Sequence, residues 1–345
     1  RRPYLCRIMA QEFVPLAPKT TMRTGGSARY FFSVSSEEDV VEAVRFAEDN
    51  DLPIFVLGDG SNVVISDEGF LGVVLEMKIS GVSFEEREDG VVVVEAGAGV
   101  RWDDLVHETV LRSLWGLENL SCIPGTVGAA PVQNIGAYGA EAKDRIVSVR
   151  AYDTHEHRFV EMDPTRCGFG YRTSIFKNEG RGRFVVTRVS WGLSRTSQQN
   201  LSYRDLEEHF KGSDHASITS REIRTAVCAI REQKLPDPNV LCNTGSFFKN
   251  PTVSQTTYQN LVAQFPQIVG REIQNGIKIS AAQLIDACGW KGKRSGDAGV
   301  YEQHALVIVN HGNASSHDVI SLSQKIIDDV YARTTILLER EVEII

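Results

Sequence analysis

The stretch Ile123-Pro124-Gly125-Thr126-Val127-Gly128-Ala129-Ala130-Pro131-Val132-Gln133-Asn134-Ile135-Gly136-Ala137-Tyr138-Gly139 decides how this chain is read. It holds four glycines, two prolines and three alanines, and no charged side chain. Glycine and proline at that density defeat a regular helix or strand. A solvated loop would carry more Ser, Asp and Lys, so the segment reads as backbone packed closely against something flat. Small side chains let main-chain N–H and C=O groups approach a ligand, and Gln133 and Asn134 add amide donors and acceptors. The alternative is a bare loop or a tight turn inside the core. Long structureless loops in compact domains are usually functional, which favours a binding bed.

The rest of the composition narrows the partners. A chain of 345 residues has room for two or three domains. Hydrophobic residues make up 42% and charged residues 24%, the balance of an ordinary globular protein. The net charge of −8 argues against nucleic acid, whose phosphates want a basic face. No apolar run approaches the roughly 18 residues of a transmembrane helix, so no membrane partner is expected. The cysteines (Cys6, Cys122, Cys167, Cys228, Cys242 and Cys288) are scattered, without Cys-x-x-Cys or histidines at metal-ligand spacing. They read as reduced cytosolic thiols, with Cys228 and Cys288 packing in helices, and no metal site is expected. The opening Arg1-Arg2-Pro3-Tyr4-Leu5-Cys6-Arg7-Ile8-Met9 is too short in apolar residues for a secretory signal, and Met9 is a candidate initiator. A cytoplasmic protein is expected.

Upstream of the bed, residues 28–65 read as strand, helix, strand. Tyr30, Phe32 and Val34 alternate as in a half-buried strand. Ser35 and Glu38 form a capping box for a helix with Val40, Ala43, Val44 and Ala47 on one face. That helix stops at Asn50-Asp51, confirmed by Pro53, and Ile54 to Leu57 is a short buried strand. Gly58-Asp59-Gly60-Ser61-Asn62 then joins strand to strand, ahead of Val63-Val64-Ile65. A dinucleotide fingerprint would open a helix and carry glycine where Val63 stands. Consecutive N–H groups in the turn still make an anion nest, with Ser61 and Asn62 as further donors, suited to a pyrophosphate. A hairpin without ligand is equally compatible with this loop alone.

Downstream, residues 72–195 read as mostly β, with runs at Val91 to Glu95, Ile146 to Tyr152 and Phe184 to Ser190. One helix, Trp102 to Leu111, interrupts them. From about 215 the pattern is α+β: helices at Ser220 to Gln233, Ala281 to Ala287 and His317 to Tyr331, and strands at Ala305 to Val309 and Leu337 to Ile345. Pro236 and Pro238 mark the junction into this part. His304, beside a strand, faces either a substrate or the interior.

Seven segments in order carry a resemblance: Gly58–Asn62, Gly116-Leu117-Glu118-Asn119-Leu120, Ile123–Gly139, Phe169-Gly170-Tyr171-Arg172 with Ser174 to Lys177, Lys234-Leu235-Pro236-Asp237-Pro238, Gly245-Ser246-Phe247-Phe248-Lys249-Asn250-Pro251, and Leu338-Glu339-Arg340-Glu341-Val342. Together they make the chain similar to the UDP-N-acetylenolpyruvoylglucosamine reductase family, over nearly its whole length. The resemblance implies an α+β protein with the two-lobed FAD-binding fold of the vanillyl-alcohol-oxidase type and a C-terminal α+β substrate domain. The expected division is 20–70 for the first FAD lobe, 71–214 for the second, 215–330 for the substrate domain, and 331–345 for a strand returning to the active site. Tyr203, in Leu201-Ser202-Tyr203-Arg204-Asp205-Leu206, resembles the mobile tyrosine loop of the family's first subtype. The polar Ser197-Gln198-Gln199-Asn200 before it offers little apolar surface to hold it, so mobility is expected there. Thr20-Thr21-Met22-Arg23-Thr24-Gly25-Gly26 is closer to the second subtype, and no basic residue follows Glu341 at the position of Glu343.

The resemblance implies an FAD oxidoreductase with UDP-N-acetylmuramate dehydrogenase activity in bacterial cell-wall synthesis, serving cell shape and division. NADPH would supply hydride to the flavin and leave before the UDP-sugar enters. In the family, hydride passes from reduced flavin to the terminal carbon of an enolpyruvyl ether, and charge builds on the neighbouring carbon and the carboxylate. Arg172 offers that carboxylate a planar fork. Glu341 donates or shares a proton at the developing enediolate, and Ser246 gives the final proton to carbon. Tyr203, Lys234 and Asn250 are expected on the substrate diphosphate, and Tyr171 between flavin and substrate. FAD is expected on Gly58, Asp59, Gly60, Ser61 and Asn62, and on Ile123, Pro124, Gly125, Gly128, Gln133, Asn134, Gly136, Ala137, Tyr138 and Gly139. The competing readings are another flavin oxidoreductase on the same fold, such as a hydroxy-acid dehydrogenase, and a non-catalytic flavin or UDP-sugar binding protein. The Gly245–Pro251 segment argues against the first, and the set Ser246, Arg172 and Glu341 against the second.

Overall fold

The computed structural model describes residues 8–345. Cys6 and most of the stretch before Met9 lie outside the described residues. The helices are α1 (Glu37–Asp49), α2 (Trp102–Leu111), α3 (Arg204–His209), α4 (Ser220–Lys234), α5 (Gln255–Gln264), α6 (Ala281–Ala287) and α7 (Ser316–Thr334). None is long and apolar enough to cross a membrane. The chain divides into two compact units. The first runs up to Val14 and takes in Ala28–Asp59 and Leu71–Arg231; the second is Pro15–Ser27, Gly60–Phe70 and Glu232–Ile345. Residues 20–27 and 60–70, which the sequence reading assigns to the first FAD lobe, thus pack with the C-terminal part.

In the first unit, Ile54–Leu57 pairs in parallel with Phe70–Met77, in a sheet completed by Ser27–Val34 and Gln11–Pro15. The parallel pairing requires a crossover, and the loop after Leu57 is part of it. Helix α1 covers this sheet with Val40, Ala43, Val44 and Ala47, all fully buried beside Phe32 and Val34. Its start corrects the sequence reading by one residue. The capping box is Ser36 with Asp39, not Ser35 with Glu38, because the Asp39 carboxylate collects Ser35 N, Ser35 Oγ and Ser36 N at 2.8–3.0 Å. A second sheet is antiparallel in the order Arg158–Met162, Ile146–Asp153, Phe184–Ser194, Val91–Gly97, Val82–Glu86. Trp191 on its longest strand meets Trp102 of α2 edge-on, ring centroids 4.9 Å apart, which locks that helix to the sheet.

The second unit centres on a sheet ordered Cys242–Ser246, Val307–Asn310, Ala298–Val300, Arg294–Ser295, with α6 and α7 buried against it. The strand expected at Ala305 begins only at Val307. His304 makes the difference: its carbonyl accepts from Val307 N at 3.1 Å and its Nδ1 from Leu306 N at 3.3 Å, so 304–307 is a turn. The closing strand is likewise shorter than expected. Only Glu343–Ile344 pairs regularly, in parallel with Val63–Val64, while 339–341 is extended chain alongside 247–249.

The thiol expectation fails at two positions. Cys122 and Cys228 form a disulfide. Their separation of 106 residues hid the pairing, which arises because α4 packs Ile223, Ala226 and Val227 into a cluster with Trp115 and Tyr138. Cys167 and Cys288 are buried free thiols, and burial pushes the Cys167 thiol up to about 12.

Candidate active site

The glycine-rich bed is an ordered structure with few regular elements. It starts as an extension of the antiparallel sheet: Trp102 N donates to Gly125 O, Val127 N to Val100 O and Gly128 N to Ala98 O, each at 2.9 Å. Gly128 is required there, since a Cβ would lie 2.5 Å from Ala98 Cβ. A Cβ on Gly58 would lie 2.7 Å from Thr126 Oγ1, so the end of the parallel strand abuts the start of the bed. Two non-glycine residues, Asn134 and Tyr138, hold φ of 46° and 48°, a backbone region that asparagine tolerates and tyrosine seldom adopts.

Asn134 is the bed's internal fastener. It is fully buried, its Nδ2 donates at 2.9 Å to both Glu141 Oε2 and Gly170 O, and its Oδ1 accepts from Lys143 N at 2.9 Å. The bond to Gly170 ties the bed to the turn carrying Tyr171 and Arg172, which Gly170 and Thr173 close as a bridge. Ser174 Oγ adds a bond to Val132 O at 2.6 Å. Arg172, with φ 54°, donates from Nη2 to Gly136 O at 2.5 Å, and its guanidinium carbon lies 5.3 Å from the Tyr171 ring centroid. The cation is therefore anchored directly on the bed.

Tyr203 stands at the start of α3, 41% exposed, its ring edge-on to Tyr138 with centroids 5.2 Å apart. Burial pushes the Tyr138 hydroxyl up to about 12, against the opposing charge of Arg231, whose Nε donates to Cys122 O at 3.1 Å. The segment before Tyr203 does not lack attachment, as its polarity suggested. Gln199 Nε2 donates to His215 O and Ile218 O, and Asn200 Nδ2 to Gly139 O, at 2.7–2.9 Å. Amide hydrogen bonds hold it where apolar contacts were looked for.

The second unit carries the other expected groups. Gly245, at φ 68°, turns the chain into Ser246, which pairs with Val307. Glu341 N donates to Phe247 O, and Lys249 N to Glu339 O, each at 2.9 Å. Ser246 and Glu341 therefore lie on adjacent extended segments, and Glu341 is only 8% exposed. The glycine loop joins them: Asn62 Nδ2 donates to Glu341 O at 3.4 Å, and Glu343 N to Asn62 O at 3.1 Å. Gly60, at φ 62°, has no room for a Cβ, which would lie 2.3 Å from Lys19 O. Lys234 ends α4; partial burial holds the half-buried His304 imidazole below its ordinary pKa, and the charges of Lys234 and Lys291 lower it further. Asn250 Oδ1 accepts from Ala281 N at 2.9 Å, so its amide oxygen caps α6.

Sequence reasoning overlooked Asn243, whose Nδ2 donates to Pro236 O and Leu241 O and whose Oδ1 accepts from Gly245 N. It fastens the segment after Lys234 to the turn before Ser246. It also gave no role to Asn119, although the residue stands inside a quoted motif. A single buried amide leaves no periodic trace in a sequence.

The bed fits a large flavin nucleotide. Its partly exposed residues are Ile123, Gly125, Val132, Gly136 and Ala137, all small or apolar, and the amide Gln133, while Thr126, Gly128, Asn134 and Ile135 are buried. This presents a firm, uncharged surface with accessible main chain, which suits a flat ring system. Among the described residues no group of three or more His, Cys, Asp or Glu could hold a metal ion.

Comparison with known proteins identifies the family. A family model for an FAD binding domain matches residues 28–159, and one for the UDP-N-acetylenolpyruvoylglucosamine reductase C-terminal domain matches 237–345. A UDP-N-acetylenolpyruvoylglucosamine reductase of Ralstonia nicotianae is 45% identical over 95% of this chain and 96% of its own. That of Pseudomonas aeruginosa is 43% identical over 96% of this chain and 97% of its own. The crystal structure of the Thermus caldophilus enzyme superposes with a TM-score of 0.67 at 28% identity, covering 98% of each chain. The chain belongs to the UDP-N-acetylenolpyruvoylglucosamine reductases, FAD-containing oxidoreductases of peptidoglycan synthesis.

Proposed function

We propose that Arg172, Ser246 and Glu341 carry the reduction of UDP-N-acetylglucosamine enolpyruvate to UDP-N-acetylmuramate in this FAD-dependent enzyme, with NADPH as the hydride donor. Bound FAD supplies hydride transfer to the terminal carbon of the enolpyruvyl group. Arg172 recognises the substrate carboxylate, and its anchoring on Gly136 keeps the fork from swinging away. Glu341 holds or shares a proton at the carboxylate oxygens as enediolate character develops. Ser246 completes the reaction: its O–H bond breaks as a C–H bond forms at the carbon beside the carboxylate, and the serine oxygen is then reprotonated. A serine is a weak acid, but a carbanion-like centre is basic enough to take its proton.

Tyr203, Lys234 and Asn250 bind the diphosphate through a phenol, an ammonium and an amide, with Tyr171 lining the approach. The main chain of 58–62 and 123–139 cradles FAD. The tyrosine segment assigns the chain to the first subtype, and a cytoplasmic location follows from the activity. The observation that supports the proposal is the pairing of 247–249 with 339–341, which brings the backbone segments carrying Ser246 and Glu341 next to each other. Rapid mixing of a Ser246→Ala variant tests it. Flavin reduction by NADPH should be nearly intact, while reoxidation by the enolpyruvyl substrate falls by at least about 10²–10⁴-fold, the usual weight of acid–base catalysis. Equal slowing of both half-reactions would make Ser246 a structural hydroxyl.

A further inference from the structure

Asn119 sits in the short helical turn Glu118–Leu120, 2% exposed. Its Nδ2 donates two hydrogen bonds, to Tyr138 O and to Asn200 O, both at 2.8 Å. One amide group thereby joins the last residues of the bed to the segment leading into Tyr203. Asn200 returns the connection, donating from Nδ2 to Gly139 O at 2.9 Å. Its Oδ1 accepts from Ser202 N at 3.3 Å and Ser202 Oγ at 2.7 Å, which shapes the chain up to the residue before Tyr203. The fit is close: a Cβ on Gly139 would lie 3.1 Å from Asn200 Nδ2. Glu118 secures the turn beneath, accepting from Gly116 N at 2.6 Å.

We infer that Asn119 and Asn200 are positioning residues for Tyr203, fastening its segment to the Tyr138–Gly139 end of the bed so that the bed sets the affinity for the diphosphate of the UDP-sugar. The inference rests on the reading of Tyr203 as a diphosphate ligand. It has a physical basis in two directly bonded amides, each of which spans elements about 60–80 residues apart in sequence. Without them, the edge contact between the Tyr138 and Tyr203 rings and the apolar cluster of Ala137, Tyr138, Leu201 and Leu206 would still relate the loop to the bed, but neither has the direction of a hydrogen bond.

The test uses the flavin-loaded enzyme with Asn119→Asp, Asn200→Ala, Tyr203→Ala and the Asn200→Ala/Tyr203→Ala double variant. Asn119→Asp preserves shape but sets an acceptor against two carbonyls. Asn200→Ala, at a partly exposed site, covers the case in which the buried change prevents folding. Each single change should raise KM for the UDP-sugar about tenfold, the equivalent of roughly one hydrogen bond, with kcat and the NADPH half-reaction within about twofold of the parent. Asn200→Ala should add nothing in the Tyr203→Ala background, because a positioning effect needs the group it positions. If Tyr203→Ala raises KM but Asn200→Ala does not, or if the two effects add, the inference is overturned. If Tyr203→Ala itself leaves KM unchanged, the diphosphate reading falls instead.

Discussion

Replacing Asn134 with alanine would remove the fastener between the glycine-rich bed and the Arg172 turn. Three hydrogen bonds disappear, all at 2.9 Å, one of them to the Glu141 carboxylate. At about 1 kcal/mol each this costs about 3 kcal/mol. Alanine must also hold φ near 46°, a left-handed conformation that costs about 1 kcal/mol more. The expected loss is about 4 kcal/mol, equivalent to a fall of roughly 10 °C in the melting transition of a unit of this size. Circular dichroism melts of the flavin-loaded and flavin-free protein, with flavin fluorescence as a second signal, measure it. The loaded form should lose more than the free form, because the bed is what the cofactor meets. A loss below about 1 kcal/mol would refute the hydrogen-bond accounting. An equal loss in both forms would show that Asn134 supports the fold and not the bed.

Reducing the Cys122–Cys228 bond should cost about 2–4 kcal/mol, and melts with and without dithiothreitol should coincide once both cysteines are alanine; an unchanged melt on reduction of the parent would contradict this. Burial raises the folded pKa of Glu118 above its unfolded value, so the native state binds more protons and stability rises as pH falls through that raised value. Glu118→Gln removes this dependence, and urea unfolding at pH 8 and pH 5 should show the parent gaining on the variant at the lower pH. The opposite trend would mean that the turn's N–H groups outweigh burial.

What could be read from the sequence followed from local rules. The spans of α2 and α6, and the strand Ile54–Leu57, were legible because apolar spacing, caps and prolines act over a few residues. The cap of α1 slipped by one because Ser35-Ser36 and Glu38-Asp39 offer two registers, and only the geometry of one carboxylate separates them. Short strands such as Thr252–Val253 and Ala298–Val300 carry too few residues for a period. At the site, motif residues were legible as types, but the amides that hold them were not. Asn119 and Asn200 join segments far apart in the chain, and nothing in local pattern announces such a partner. Asn243 works within its own loop, on Pro236, Leu241 and Gly245, where a lone amide has no periodicity to reveal it. The disulfide was missed for the same reason: the packing of α4 creates it.

The central claim is a chemical one, and its most direct measurement is stoichiometry. Purified protein carrying its FAD is supplied anaerobically with NADPH and UDP-N-acetylglucosamine enolpyruvate, and product is identified by mass spectrometry. The account predicts non-covalent FAD and one UDP-N-acetylmuramate formed per NADPH oxidised. A protein that takes up no FAD, or that oxidises NADPH without forming UDP-N-acetylmuramate, would contradict it.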